Sequence, residues 1–375
     1  MTFSHRVNWK TPTNRLSRAR QRRGADVLDL TESNPTRAGF EYPLDELSAA
    51  MARGSRAQYA PDPLGLPSAR DALARGLRCS AEDIVITAST SEAYAFLFKL
   101  LCDPGDEILI ATPSYPLLEQ IGALEMVSIR SFPLEFHARW ELHADRVREA
   151  VTDRTRAVVV VNPNNPTGSF VRREEQDALG RLSLPIISDE VFLEYALEAR
   201  GETFTRDDTL TFTLGGLSKS AGLPHYKLGW IRVRGPQPAR RDALAALALI
   251  ADNFLSVATP VQAALPEILA IAPRIRTAIC DRLRRNLTAL DAALADTPAA
   301  RRLPVEGGWS AVLRVPSTES DEDFAVRLVG EQGVLVHPGY LFDFQGEGVL
   351  VVSLLTEPAT FDEGVRRMLD RIRNC

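Results

Sequence analysis

The chain has 375 residues, of which 45% are hydrophobic and 25% charged. That composition is ordinary for globular proteins, so it excludes wholesale disorder and a fibrous fold, and the length allows two or three domains. With 44 Lys plus Arg against 49 Asp plus Glu, the net charge of −5 is too small to suggest a general nucleic-acid binder.

Met1 to Arg23 is basic and polar without an apolar stretch, so no secretory signal is expected there. Leu66 to Leu77 reads as a helix, Asp83 to Thr87 as a strand, and Ser91 to Leu101 as a second helix. Asp103-Pro-Gly-Asp106 is a turn leading into a strand at Glu107 to Ala111. Arg156-Ala-Val-Val-Val-Val161 is almost all valine, the pattern of a strand covered on both faces. Leu184 to Ser188, Thr209 to Leu214 and Gly229 to Val233 are further strands. Strands alternating with helices predict an α/β domain with a mainly parallel sheet, placed at 46–275.

Beyond it, a helix is predicted over Ala278 to Leu294, then strands at Ser310 to Val315 and Val349 to Leu354. Helices near Asp321 to Glu331 and Phe361 to Arg373 complete a smaller α+β lobe, formed by 276–375 with 1–45. No run of about 18 uncharged apolar residues occurs, so no membrane span is expected. The four cysteines form no Cys-x-x-Cys pair or zinc spacing, and His225 and His337 are isolated, so no metal is expected. These features predict a soluble, cytoplasmic protein in a reducing compartment.

Five segments carry chemistry. Lys219 lies among small residues in Gly215-Gly-Leu-Ser-Lys-Ser-Ala-Gly222. It is either an ordinary loop lysine or a confined amine able to form a Schiff base with an aldehyde. Asp189 ends an apolar strand, where an acid either caps a helix or pairs with a protonated pyridine nitrogen. Asn162-Pro-Asn-Asn-Pro-Thr-Gly168 is a rigid loop, serving as a tight turn or offering an asparagine to a cofactor. Ala88-Ser-Thr-Ser-Glu92 joins a strand to a helix and reads as a phosphate cradle or a plain N-cap. Tyr115 either stacks on a planar ring or packs within its loop.

In this order, the motifs Asn-Pro-x-Asn-Pro-Thr-Gly, Ser-Asp-Glu-Val and Leu-Ser-Lys resemble those of fold-type I pyridoxal-phosphate enzymes, the class I/II aminotransferases. The resemblance spans about Leu30 to Arg373. It implies a seven-stranded, mainly parallel sheet with a smaller α+β domain, pyridoxal 5′-phosphate as cofactor, and an amine or amino acid with a keto acid as substrates. On that resemblance Lys219 is the Schiff-base lysine and proton shuttle, Asp189 partners the pyridine nitrogen, Asn165 faces the 3-oxygen and Tyr115 stacks on the ring. Ser89, Thr90, Ser91 and Ser218 bind the cofactor near its phosphate, with Lys227 where an arginine is usual. Tyr59, in Tyr59-Ala-Pro-Asp-Pro-Leu-Gly65, matches a tyrosine that reaches the neighbouring subunit's phosphate, which implies a homodimer with shared sites.

Several positions depart from the pattern. Phe192 replaces a tyrosine that donates to the 3-oxygen, with Tyr195 nearby; Gly216 stands where a hydroxyl is common, and Ser89 where glycine is usual. Val351 occupies the position of the arginine that clamps the substrate α-carboxylate, and Arg37 is the alternative source of that contact. The resemblance implies transamination, and Val351 keeps another reaction class open. A lyase, decarboxylase or cyclase-like synthase is the alternative, and a non-enzymatic pyridoxal-phosphate protein a remote one.

Overall fold

The protein is described by a computed structural model covering residues 3–10, 12–204 and 206–374. Its centre is a seven-stranded sheet. In spatial order the strands are Ile84–Thr87, Gly229–Arg234, Thr211–Gly216, Ile186–Asp189, Thr155–Val161, Glu107–Thr112 and Ser128–Pro133. Gly229–Arg234 runs antiparallel to both neighbours and every other pair is parallel. Helices cover both faces, so the central strands are buried along nearly their whole length. The expected mainly parallel sheet is present.

A second, four-stranded antiparallel sheet contains Arg301–Arg302, Ser310–Arg314, Val349–Ser353 and His337–Pro338. The amino-terminal segment joins this region. Leu28–Asp29 pairs in parallel with Val334–Leu335, and Ser353 N–H donates to Leu30 O at 2.7 Å.

The two regions share the helix Thr259–Ala295, which is 37 residues long. The predicted helix at Ala278 to Leu294 is its second half. The helix runs unbroken across residue 275, where the sequence reading divides the two lobes. Pro260 occupies its first turn, where the missing N–H costs nothing, and Pro266 and Pro273 are tolerated inside it. Its buried residues Val261, Leu265, Ile268, Ala272, Ile275, Ile279, Leu283 and Leu290 recur at helical spacing and form one apolar stripe. Burying Ile279 alone, at 0% exposure, contributes about 2–3 kcal/mol. Asn286 fixes the far end by donating to Leu354 O and Thr356 O at 2.8 and 2.7 Å. Among the described residues no helix is long and apolar enough to cross a membrane.

Glu190 is held on the side of its strand opposite to Asp189. Its carboxyl accepts from Ser188 Oγ, Thr203 Oγ1 and Phe204 N–H. Burial nonetheless pushes its pKa up to about 7. A carboxyl that holds its proton more tightly when folded contributes stability that is full below its unfolded pKa, near 4.5, and is lost as pH rises through about 7. The urea midpoint of the wild type therefore falls between about pH 5 and about pH 8. In Glu190→Gln that fall is smaller, the difference corresponding to roughly 2–3 kcal/mol. Equal pH dependence in the two proteins would show that Glu190 is ionised throughout.

Candidate functional site

The loops that follow the strands of the large sheet gather at one edge, as expected for an open α/β sheet. They enclose a cavity of about 420 Å³. Thr211–Gly216 delivers Ser218 and Lys219 to it, Ile186–Asp189 delivers Asp189, and the loop after Thr155–Val161 delivers Asn165. Glu107–Thr112 leads to Tyr115, and Ile84–Thr87 leads to Ser89, Thr90 and Ser91. Lys227 also lines the cavity, in a left-handed conformation. The small lobe closes it with Thr31, Ser33, Ser310, His337 and Val351.

Asp189 is buried. Its Oδ2 accepts from Tyr94 Oη at 2.9 Å and its Oδ1 from Val191 N–H at 3.2 Å. Burial pushes its pKa up, against the opposing pull of those donors and of Lys219. Among the described residues no basic side chain forms an ion pair with it. A buried acid without a cationic partner is costly by itself and is suited to a protonated ring nitrogen.

The Lys219 amine donates to Ser33 O at 3.4 Å. It lies 5.0 Å from the ring centre of Trp309 and 5.8 Å from that of Phe192. Burial lowers its pKa, while Asp189 and Glu32 raise it. The net effect loosens its proton, which favours the nucleophilic free amine.

Helix Thr90–Leu101 begins in this pocket. Ser89 is its N-cap and accepts from Glu92 N–H at 3.1 Å, while Glu92 accepts from Ala88 N–H at 2.6 Å. This N-cap does not exclude a phosphate role, because the helix start with its hydroxyls still faces the cavity. The two readings of this segment hold together.

The asparagine loop resolves in the same way. Asn162 donates to Glu202 O and accepts from Val171 N–H, and Asn164 donates to Pro113 O at 2.9 Å. Both shape the turn, leaving Asn165 to line the cavity, with Ser310 Oγ 3.5 Å from its Oδ1. Gly168 closes the loop at φ +72°, and a Cβ there would lie 2.6 Å from Gly307 O. Only glycine meets both conditions.

Two sequence-predicted residues lie outside the cavity of their own chain. Tyr59 is 73% exposed. Arg37 is exposed and pairs with Glu32 at 3.4 Å. Tyr195 does not replace the hydroxyl missing at Phe192, because it is fully buried and donates to the Lys219 main-chain carbonyl at 2.5 Å. It braces the lysine segment from behind. Tyr94 and Ser33 were not singled out from sequence, although Tyr94 sits one helical turn beyond Thr90 and so on the same face.

The donor set fits pyridoxal phosphate: an unpaired buried acid, a loosened lysine amine, a helix start with three hydroxyl residues, and an aromatic at the rim. Residues 25–368 match the family model for aminotransferase class I and II. The aspartate/prephenate aminotransferase of Thermus thermophilus is 29% identical over 373 residues, covering 94% of this chain and 91% of that protein. Human tyrosine aminotransferase is 27% identical over 346 residues, covering 85% and 75%. Among solved structures, an alanine aminotransferase from Pyrococcus furiosus superposes with a TM-score of 0.88 at 23% identity, covering 96% of this chain and 95% of the other. The chain is an enzyme and belongs to the class I and II aminotransferases, the pyridoxal-phosphate-dependent family of fold type I.

Proposed function

We propose that Lys219 is the catalytic residue of a pyridoxal-phosphate-dependent transamination between an amino donor with an apolar or aromatic side chain and a keto acid. The convergence of Lys219 and Asp189 at the carboxyl edge of the sheet carries this reading. When bound, pyridoxal phosphate supplies an electron-withdrawing ring that stabilises negative charge at the substrate carbon bearing the amine. Asp189 would hold a proton on the ring nitrogen, and Tyr94 holds Asp189 in place at 2.9 Å. Ser89, Thr90, Ser91, Ser218 and Lys227 would hold the phosphate, Lys227 as a point charge. Asn165 would serve the ring oxygen and Tyr115 would pack on the ring, both from the cavity wall. Lys219 would take the proton from the substrate carbon bearing the amine and deliver it, on the same face, to the cofactor's C4′ carbon.

The substrate side is supported by the small-lobe wall. Val351 is 2% exposed and pairs in register with His337. Burial holds the His337 imidazole below its usual pKa against the pull of Asp29, so it is neutral at neutral pH. Trp309, Phe192, Phe342 and Leu117 complete an apolar lining. Among the described residues no arginine lines the cavity, so a substrate carboxylate is served from the Arg37 loop, which adjoins Ser33. Tyr59 is assigned to the partner's cofactor phosphate in a homodimer. Its exposure, beside that of Phe254 and Leu255, supports a buried interface there.

The same wall favours a second reading. Without an arginine at Val351, the substrate bond that stands perpendicular to the ring is less fixed, which opens elimination, decarboxylation or cyclisation. Amino donors are therefore screened in a half reaction. Conversion to pyridoxamine phosphate supports transamination, and ammonia or carbon dioxide release without it supports the second reading. Arg37→Ala lowers kcat/KM about tenfold for amino acids and little for plain amines. Equal loss on both rejects the role of Arg37.

A further inference from the structure

Two Glu-x-His pairs stand close together in the chain, Glu135-Phe-His137 and Glu141-Leu-His143. Residues two apart in extended chain face the same way. The short hairpin Glu135–Phe136 with Trp140–Glu141 pairs Glu135 directly with Glu141. All four polar side chains therefore share one face. Phe136 and Trp140 share the other, their ring centres 5.2 Å apart.

Two carboxylates placed opposite each other repel unless positive charge lies between them. Each gives its Oε1 to an arginine: Arg146 Nε lies 2.6 Å from Glu135, and Arg139 Nε 3.4 Å from Glu141. Each turns its Oε2 toward the histidines. His143 Nε2 lies 3.5 Å from Glu141 Oε2 and 3.9 Å from Glu135 Oε2. His137 places Nδ1 3.9 Å from Glu141 Oε2 and Nε2 4.0 Å from Glu135 Oε2. One ligand atom each from Glu135, His137 and His143 lie within 4.8 Å of one another. His143 Nε2 is shielded from solvent yet has no hydrogen-bond partner, an arrangement that native proteins rarely leave unused.

We propose that this face of the hairpin binds one divalent transition-metal ion of the zinc type. Imidazole nitrogen and carboxylate oxygen are its preferred hard-to-borderline donors, and tetrahedral bonds of about 2.0–2.2 Å set ligand atoms roughly 3.3–3.6 Å apart. The ligand atoms, now within 4.8 Å of one another, reach that by closing up to about 1.5 Å, with the exposed His137 ring turning one of its two nitrogens inward. The two arginines orient the carboxylates from outside, as outer partners of metal ligands commonly do. Glu149 and Glu175 in turn pair with Arg146 and Arg139, so four carboxylates face two guanidiniums and the surroundings stay negative.

The ion lies away from the reacting atoms and acts on the wall behind them. Trp140 packs edge-on against Phe344 at 5.8 Å, in the apolar cluster that contains Phe342 and Val351. A metal clamp across the hairpin stiffens that cluster from its outer side. This departs from the metal-free expectation, which rests on cysteine spacing and on His225 and His337.

Chelator-treated holoenzyme titrated with Zn²⁺ by calorimetry tests the site. The wild type binds one Zn²⁺ per chain, and His137→Ala/His143→Ala weakens that binding at least about 100-fold. Saturating Zn²⁺ raises the Tm of the wild type and not of the double variant. Metal-free turnover is the same in both, because neither histidine lines the cavity. Zn²⁺ binding that survives in the double variant, or no stoichiometric binding by the wild type, overturns the proposal. Should the double variant fail to fold, His137→Ala alone, at a side chain 61% exposed, supplies the same comparison.

Discussion

Lys219→Ala lowers turnover by at least about 10⁴-fold with every amino donor, while the chain folds and still takes up the cofactor. Burial loosens the proton of this amine, and it hydrogen-bonds among the described residues only to the Ser33 carbonyl, at 3.4 Å. Removing it deletes both the covalent anchor and the base that serves the substrate carbon. The phosphate contacts proposed for the start of helix Thr90–Leu101 and for Lys227 are untouched by the substitution, so binding is expected to persist without attachment. Borohydride reduction tells the two states apart: it fixes the cofactor to the wild-type chain and leaves it removable from the variant. Lys219→Arg is also inactive, because a guanidinium keeps its proton at any working pH. Turnover within tenfold of wild type in either variant would remove Lys219 from the chemistry.

Asp189→Asn lowers turnover by roughly 10²–10³-fold, the equivalent of breaking a buried charge pair at about 3–5 kcal/mol. Asparagine matches the carboxyl in shape: its one oxygen accepts from Val191 N–H, and its amide nitrogen faces Tyr94 Oη, which turns from donor to acceptor, so the cavity keeps its form. What it lacks is negative charge opposite the ring nitrogen, and with it the hold on that nitrogen's proton. The loss falls on kcat in the half reaction, with cofactor affinity weakened as well. Tyr94→Phe, which removes one donor to the same carboxylate, costs far less. An Asp189→Asn enzyme within about threefold of wild type would show that the ring-nitrogen proton is held by something else.

The large sheet was legible because its inner strands are short apolar runs that no surface element needs. Arg156 to Val161 is the clearest of them. The edge strand Ser128–Pro133 was not legible, since its exposed Ser128, Arg130 and Ser131 break the apolar run. The long helix was read from Ala278 onward because Pro266 and Pro273 look like breakers in sequence. Packing of its apolar stripe against neighbouring helices overrides them. At the site, Lys219, Asp189 and Asn165 carry local signals: small flanking residues, an acid ending a buried strand, a rigid loop. Tyr94 carries none, for an aromatic inside an apolar helix looks like core until the strand bearing Asp189 is laid beside it. The side to which Tyr195 turns is decided by the Lys219 carbonyl, far away in the chain. The Glu-x-His pairs were invisible for a related reason, since their meeting depends on the register of a hairpin too short to read.

The parallel pairing of Leu28–Asp29 with Val334–Leu335 also sets an order of assembly. Leu28 leaves the ribosome early, yet its partner strand is about three hundred residues away. At about 5–20 residues per second, the first strand waits roughly 15–60 s for it. The large sheet, complete by Arg234, is free to form during that interval. Thr31 and Ser33 are carried by the waiting segment, so they settle at the cavity only once Val334–Leu335 is made. The nascent enzyme thus gains its cofactor floor before its substrate wall, and a chain stopped short of Val334 would hold the first without the second.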